Sequence, residues 1–111
     1  VHVCVHGLQF NIGLALEKAG SILSGAIGNA AGNRKRVTSL GSGYDNRSYA
    51  PTIPFIYEDT AGGTSAITYG ITVNNPSSIS RYVYINRAET DTDNTSHRRG
   101  ISTITAIEVG Q

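Results

Sequence analysis

Residues 66–74 read Ala-Ile-Thr-Tyr-Gly-Ile-Thr-Val-Asn, and this stretch decides the fold class. Large apolar or aromatic side chains occupy every second position: Ile67, Tyr69, Ile71 and Val73. Smaller residues lie between them. Because successive side chains of a β-strand point to opposite faces, a period of two predicts a strand with one face toward a core.

Similar short runs lie on both sides of this strand and are separated by turn-forming residues. They cover residues 1–6, 10–17, 20–27, 34–39, 49–57, 81–87 and 101–109. Pro51 and Pro54 place their run at a sheet edge or end it early. Together the runs give about eight short strands, spaced by roughly ten residues. The sequence therefore predicts an all-β fold, an antiparallel β-sandwich of jelly-roll-like type.

A helix over residues 12–24 is the competing interpretation of the N-terminal third. Several good helix formers fall within it, from Leu14 to Ala19. However, Gly13 and Gly20 weaken a helix, and no capping box precedes the run. We therefore expect two strands joined by a turn at residues 18–21.

The length of 111 residues suits one domain spanning 1–111. Charged residues make up 15%, against about 25% in a typical soluble domain. The net charge of +1 implies no broad basic field, so no nucleic-acid partner is expected. No run of 18 apolar residues occurs, so no membrane partner is expected. Cys4 is the only cysteine, which excludes a disulfide within the chain.

The chain has no methionine and opens on Val1 within a strand-like run. Such a run is typical of the middle of a sheet. We expect the chain to be the C-terminal part of a longer protein.

Two patterns resemble metal sites, and each has a simpler explanation. His2, Cys4 and His6 share one strand face, but alternate residues are about 7 Å apart and cannot all reach one ion. Residues 91–94 resemble the start of a calcium loop, but Ser96 stands where that loop needs glycine. No metal is expected; His2 and His6 near a symmetry axis, and an irregular calcium site with Glu89, are the weak alternatives.

Catalytic and phosphate-binding motifs are missing from the sequence. The glycine-rich segment 25–32 lacks the Gly-Lys-Ser/Thr of a phosphate loop and has the wrong spacing for a dinucleotide fingerprint. Residues 41–43 read Gly-Ser-Gly and lack the spacing of the Gly-x-Ser-x-Gly motif of a nucleophile elbow. We therefore expect no enzyme activity and no cofactor.

Loops 41–50 and 88–100 are the candidate binding surface. Tyr44 and Tyr49 lie in or beside a loop rich in Gly, Asn and Ser, a composition typical of adaptable binding and sugar stacking. The charged candidates in the second loop are Asp91, Asp93, Arg98 and Arg99.

Five blocks of the sequence resemble a β-rich C-terminal domain of phage structural proteins. They are residues 27–34 (IGNAAGNR), 66–71 (AITYGI), 82–87 (YVYINR), 91–93 (DTD) and 99–109 (RGISTITAIEV). Ile107 stands where methionine is commoner in that family. The blocks occur in the same order, and the resemblance covers roughly residues 12–111.

The resemblance implies a homotrimer without enzymatic activity, assembled in the host cytoplasm and incorporated into the virion with other virion proteins. One hypothesis is a fibre or spike tip that binds a host-surface glycan or protein. The alternative is a capsid decoration or cement protein, or a fibre collar, with a purely structural role. A thin sandwich also gains from burying a face in an oligomer, and three weak sites on one knob give avidity.

Overall fold

The computed structural model describes residues 1–7, 12–41, 52–75, 80 and 82–110. Within those ranges the chain forms seven strands and no α-helix. The strands are β1 (His2–Gly7), β2 (Ile12–Lys18), β3 (Ser21–Ile22), β4 (Ser39–Gly41), β5 (Thr52–Pro54), β6 (Tyr69–Asn74) and β7 (Val83–Ile85). All the pairings among them are antiparallel. The prediction of an all-β, antiparallel chain is therefore confirmed, and none of the described segments is a helix long and apolar enough to cross a bilayer.

The strands form two sheets. In the smaller sheet, β1 lies between β5 and β7. In the larger sheet, β2 is central: β6 pairs along one side, while β3 and β4 pair with opposite ends of its other side. The β2–β6 pairing is the longest in either sheet and runs from Gly13 opposite Asn74 to Lys18 opposite Tyr69.

Thr38 closes the gap that β3 and β4 leave along β2. Its hydroxyl oxygen accepts a hydrogen bond from the amide of Leu16, at 2.9 Å. Its own amide donates to the carbonyl of Leu14, at 2.7 Å, and the carbonyl of Leu16 accepts from the amide of Leu23. Buried backbone groups are costly when unpaired, so this side-chain bond allows β2 to lie in the interior.

The core lies where β2 meets β5. Ile12 and Leu14 are completely buried, and Ile53 of β5 is 3% exposed. Partly buried apolar side chains surround these three: Val1, Phe55, Ile71, Val73 and Val83. Burying one such side chain contributes about 1.5–3 kcal/mol, so the core depends on a small number of large residues.

The turn predicted at residues 18–21 is confirmed, and the helix over 12–24 is not formed. Lys18 pairs with Ser21, which leaves a two-residue turn of Ala19 and Gly20. Both turn residues have positive φ, 52° and 80°. That combination matches the type I′ hairpin turn, whose twist suits two antiparallel strands.

Residues 101–109 alternate as a strand would, yet they form no strand in the single chain. Apart from a one-residue bridge at Thr103, residues 101–110 belong to no ladder. Ile101 is 71% exposed, and Ile107 and Val109 are each 83% exposed. Alternation predicts the two faces of a strand, but a strand also needs a neighbour that pairs with its backbone groups.

A substitution at Gly13 tests the close packing around β2. A Cβ at this position would lie 2.5 Å from Cγ1 of Val37, whose branched side chain has little freedom to move. Gly13→Ala is expected to lower the free energy of unfolding by about 1–3 kcal/mol through overpacking. Denaturant unfolding measures it. Gly28→Ala is the control, because a Cβ there meets nothing within 4 Å; equal effects at both positions would contradict the packing account.

Candidate functional site

Residues 86–100, named here the Asp91 loop, form a loop after β7 whose two ends lie side by side. Asn86 has a left-handed backbone (φ 61°), which turns the chain away from the strand. Its carbonyl accepts a hydrogen bond from the amide of Gly100 at 2.8 Å, and its side-chain oxygen accepts one from the Ser102 hydroxyl at 2.6 Å. Arg87 and Arg99 form an isolated antiparallel bridge. Both ends of the loop are thus held together by backbone and side-chain bonds.

The carboxylate of Asp91 lies between the two arginines at the base of the loop. Arg99 donates to both carboxylate oxygens, from Nε at 3.1 Å and from Nη2 at 2.7 Å. Arg87 donates from Nη1 to Oδ2 at 3.1 Å. The Asp91 side chain is 18% exposed, whereas that of Arg99 is 74% exposed. The two-pronged bond from Arg99 fixes the orientation of both groups as well as adding charge attraction.

Hydrogen bonds from Arg99, and secondarily from Arg87, hold the pKa of Asp91 below its usual range. The same bond raises the pKa of Arg99. Asp91 is therefore ionised at neutral pH and serves as the negative centre of this ion-pair group.

The tip of the loop is a compact turn built on Asn94. Its side-chain oxygen accepts from the amide of Ser96 at 2.9 Å, and its carbonyl accepts from the amide of His97 at 3.0 Å. The ring nitrogen Nδ1 of His97 is hydrogen-bonded to the Thr92 hydroxyl at 2.8 Å. The Asn94 side chain thus satisfies a local backbone amide, as turn residues do, and the Thr92 hydroxyl holds the His97 ring against the turn.

Tyr84 on β7 contacts the loop, and Tyr82, just before β7, lies beside Tyr84. The Arg87 guanidinium lies 4.9 Å from the centre of the Tyr84 ring, within the range of a cation–π contact. The Tyr82 and Tyr84 rings lie 6.4 Å apart and are tilted by 32°. Tyr82 is 82% exposed. The Arg87 guanidinium and the two tyrosine rings therefore lie next to one another.

The sequence-predicted binding residues fall into two groups. Asp91 and Arg99 bind each other, so their charges are largely matched within the chain. Asp93 and Arg98 are exposed, and neither has a hydrogen-bond or ion-pair partner among the described residues. That all four contact a ligand stays a prediction, and the exposed pair is better placed for it.

Other predicted residues lie outside the part of the chain that the structure describes. Tyr44 and Tyr49 belong to the undescribed range 42–51, and so does most of the loop 41–50. His2 and His6 lie on β1, whose side chains are not described. Among the described residues, no group of three or more His, Cys, Asp or Glu side chains is arranged to hold a metal ion.

A second polar cluster, which the sequence did not indicate, joins the ends of β2 and β6 to the segment after β5. Asp59 accepts hydrogen bonds at 2.7 Å from both Lys18 Nζ and the Tyr69 hydroxyl. The bond from Lys18 lowers the pKa of Asp59 and raises that of Lys18, and the bond to Asp59 raises the pKa of Tyr69. Lys18 and Tyr69 lie 41 and 10 positions from Asp59 in the sequence, so no local pattern could have joined them.

Asp59 and Tyr69 of this cluster also line an apolar surface groove of about 360 Å³. Its lining is mostly apolar and includes Leu16, Phe55, Ile56 and the segment 104–107. Tyr57, Asp59 and Tyr69 supply the polar part of the wall.

Comparison with known proteins gave no match to any family model, curated protein or solved structure.

Asp91→Asn tests whether the ion pairs order the loop. The variant removes the charge that both arginines share, so the Gly100 amide is expected to exchange with solvent faster than in the unmodified chain. Hydrogen exchange followed by NMR measures this rate. Asp93→Asn removes a carboxylate from the same loop where it has no described partner, and it should leave the Gly100 rate unchanged. Equal rates in all three proteins would contradict the assigned role.

Acid provides an independent test of the same ion pairs. Since folding lowers the pKa of Asp91, the folded chain binds fewer protons than the unfolded chain near that pKa. The stabilisation is complete above about pH 3.9, the ordinary aspartate value, and is lost as the pH falls through the lowered value. The Arg99 Nε resonance should follow this titration. In Asp91→Asn the transition should disappear, and its persistence would assign it to another group.

Proposed function

We propose that the chain is a homotrimeric structural module of a bacteriophage virion, a fibre or spike tip that binds the host surface. In this proposal, the two sheets belong to a jelly-roll-like sandwich that neighbouring copies complete. The Asp91 loop and the tyrosines beside it bind a host-surface glycan or protein.

The observation that carries the self-assembling part of the proposal is the amount of surface left exposed. The chain exposes 7995 Å², whereas a folded monomer of 11.7 kDa exposes about 5,900 Å². Its radius of gyration is 15.7 Å, against about 13 Å for a compact domain of this length. The excess of about 2,100 Å² is in the range that stable subunit interfaces bury.

Several large apolar side chains lie on the exposed surface. The most exposed of the large apolar side chains are Ile56 (98%), Ile107 (83%), Val109 (83%), Tyr82 (82%), Leu40 (73%) and Ile101 (71%). Single exposed apolar residues are ordinary, but this number on a chain with a small core supports burial against other subunits.

The virion assignment is supported by the sequence blocks that resemble phage structural domains. In the fold, residues from three of those blocks meet in one place. Asn86 and Arg87 come from the block 82–87, Asp91 comes from the block 91–93, and Arg99 and Ser102 come from the block 99–109. Their mutual hydrogen bonds give a physical reason for these blocks to occur together: each block supplies one part of a closed loop.

The host-binding role is supported by the composition of the loop surface. Exposed aromatic rings bind the apolar faces of sugar rings, and nearby charged side chains hydrogen-bond their hydroxyl groups. Tyr82, Asp93 and Arg98 are exposed and provide these groups. Three such surfaces on one trimer would make weak individual contacts effective through avidity.

Electron microscopy of virions labelled with an antibody to this chain tests the assignment. Label at the distal end of a fibre or spike is the expected result. Label over the capsid surface would replace the host-binding role by the decoration role. No label on the particle would contradict the virion assignment.

Glycan-array binding of the purified protein tests the surface. Tyr82→Ala is expected to weaken binding by about 1 kcal/mol per site, roughly fivefold in Kd, because an aromatic face is lost. Leu40→Ala is the control, since it removes a comparably exposed apolar side chain from β4. Binding that survives both Tyr82→Ala and the double change Tyr44→Ala with Tyr49→Ala would contradict sugar stacking on tyrosine.

A further inference from the structure

Arg87 and Arg99 lie directly opposite each other at the base of the Asp91 loop, as the two members of an antiparallel bridge. Directly opposed residues project from the same face of a ladder, and two like charges placed in this way are unfavourable. Asp91 offsets the repulsion by accepting hydrogen bonds from Arg99 at 2.7 and 3.1 Å and from Arg87 at 3.1 Å. One carboxylate therefore holds two cations side by side, and the group keeps one surplus positive charge.

The exposure of the three side chains directs this surplus charge outward. The Asp91 side chain is 18% exposed, that of Arg87 is 39% exposed, and that of Arg99 is 74% exposed. Arg99 binds Asp91 through Nε and Nη2, and its Nη1 makes no hydrogen bond to a described residue. A guanidinium carries more N–H donors than these two bonds use. The edge formed by Nη1 and Nη2 can therefore bind a second acceptor while Asp91 stays in place.

Asp91 also holds these donors in position before any ligand arrives. Its two-pronged bond fixes the plane of the Arg99 guanidinium, and the bond from the Gly100 amide to the Asn86 carbonyl holds the two ends of the loop together. A side chain that is already ordered loses less conformational freedom on binding. Two parallel N–H donors match the oxygens of a carboxylate or a phosphate.

The other charges of the loop limit the range of this attraction. Residues 86–100 contain three arginines and three carboxylates, so the loop as a whole is neutral. Glu89 has a partner of its own. Asp93 and Arg98 are exposed and carry opposite charges. Selection of an anion would therefore come from direct contact with Arg99 and not from a long-range field.

Two aromatic rings connect the arginines to the proposed sugar-binding surface. The Arg87 guanidinium lies 4.9 Å from the centre of the Tyr84 ring, and the Tyr82 and Tyr84 rings lie 6.4 Å apart. Tyr82 is 82% exposed. Because these groups are consecutive neighbours, one oligosaccharide can stack a sugar ring on tyrosine and place a charged substituent at the arginines.

We propose that the Asp91 loop selects glycans that carry an anionic group, a carboxylate or a phosphate, and that Nη1 and Nη2 of Arg99 bind this group. Asp91 is the positioning residue that holds Arg99 and Arg87 together. This inference rests on the proposed host-binding function and names the class of its ligand.

A glycan array that pairs each neutral oligosaccharide with its sialylated, uronylated and phosphorylated forms tests the preference. The unmodified protein is expected to bind a charged form at least about threefold more tightly than its neutral counterpart at low salt, and less selectively at high salt. The sialylated and uronylated arms report on carboxylates, and the phosphorylated arm reports on phosphate. Equal binding within every pair would overturn the inference and leave a glycan-binding function intact.

Arg99→Gln tests the assigned residue on the most selective pair from the array. The ratio of charged to neutral affinity, measured by calorimetric titration, is expected to fall to about one because the fork to the anion is lost. Arg99→Lys keeps the charge without the fork and should retain part of the ratio. A change that only loosened the loop would weaken both members of the pair and leave the ratio unchanged, which would overturn the inference.

Arg98→Gln is the matched control. Arg98 precedes the bridge residue Arg99, and neighbouring side chains of a strand point to opposite faces. Its substitution should change the affinity for charged and neutral forms by the same factor, and an equal loss of the ratio in both variants would overturn the inference. An array without any bound glycan would also overturn it. In that case label at a fibre tip would leave the host-binding function with a protein target, whereas no label on the particle would remove both.

Discussion

The pairing of β2 with β6 is the interaction on which the rest of the structure depends. Six consecutive residues of β2 pair with β6, while β3, β4 and the Thr38 hydroxyl satisfy its other side. Because its backbone is paired on both sides, β2 can be buried, and residues 12–16 are buried without interruption. Ile12 and Leu14 then form the centre to which β5 of the other sheet attaches through Ile53.

A single copy of the chain buries only a small apolar core around β2. Seven apolar residues of the described ranges are buried, and three of them are alanines. The large apolar side chains that are more than 70% exposed are those of Leu40, Ile56, Tyr82, Ile101, Ile107 and Val109. A core this small leaves little net stability after the loss of conformational entropy. Neighbouring copies are therefore part of the proposed fold, because they supply the missing contacts.

Local sequence patterns predicted strands and turns, but they could not predict which distant side chains bind each other. Alternation at residues 66–74 indicated a strand, and Gly13 and Gly20 correctly argued against a helix. Both signals depend only on residues that are close together in the sequence. The bonds of Asp59 to Lys18 and of Asp91 to Arg99 depend on tertiary proximity, so Asp91 and Arg99 appeared in the sequence only as exposed charges. Residues 101–109 carry the pattern of a strand but form only a one-residue bridge at Thr103, because alternation records which faces are apolar and not whether a neighbouring strand is present.

The mass of the protein in solution tests the central claim most directly. If neighbouring copies complete the fold, light scattering at micromolar concentration should give about 35 kDa, three times the chain mass of 11.7 kDa. Amide protection of residues 104–109 should be present in that species and be lost on dilution to single chains. A stable, cooperatively folded species of one chain mass, with those amides freely exchanging, would contradict the account.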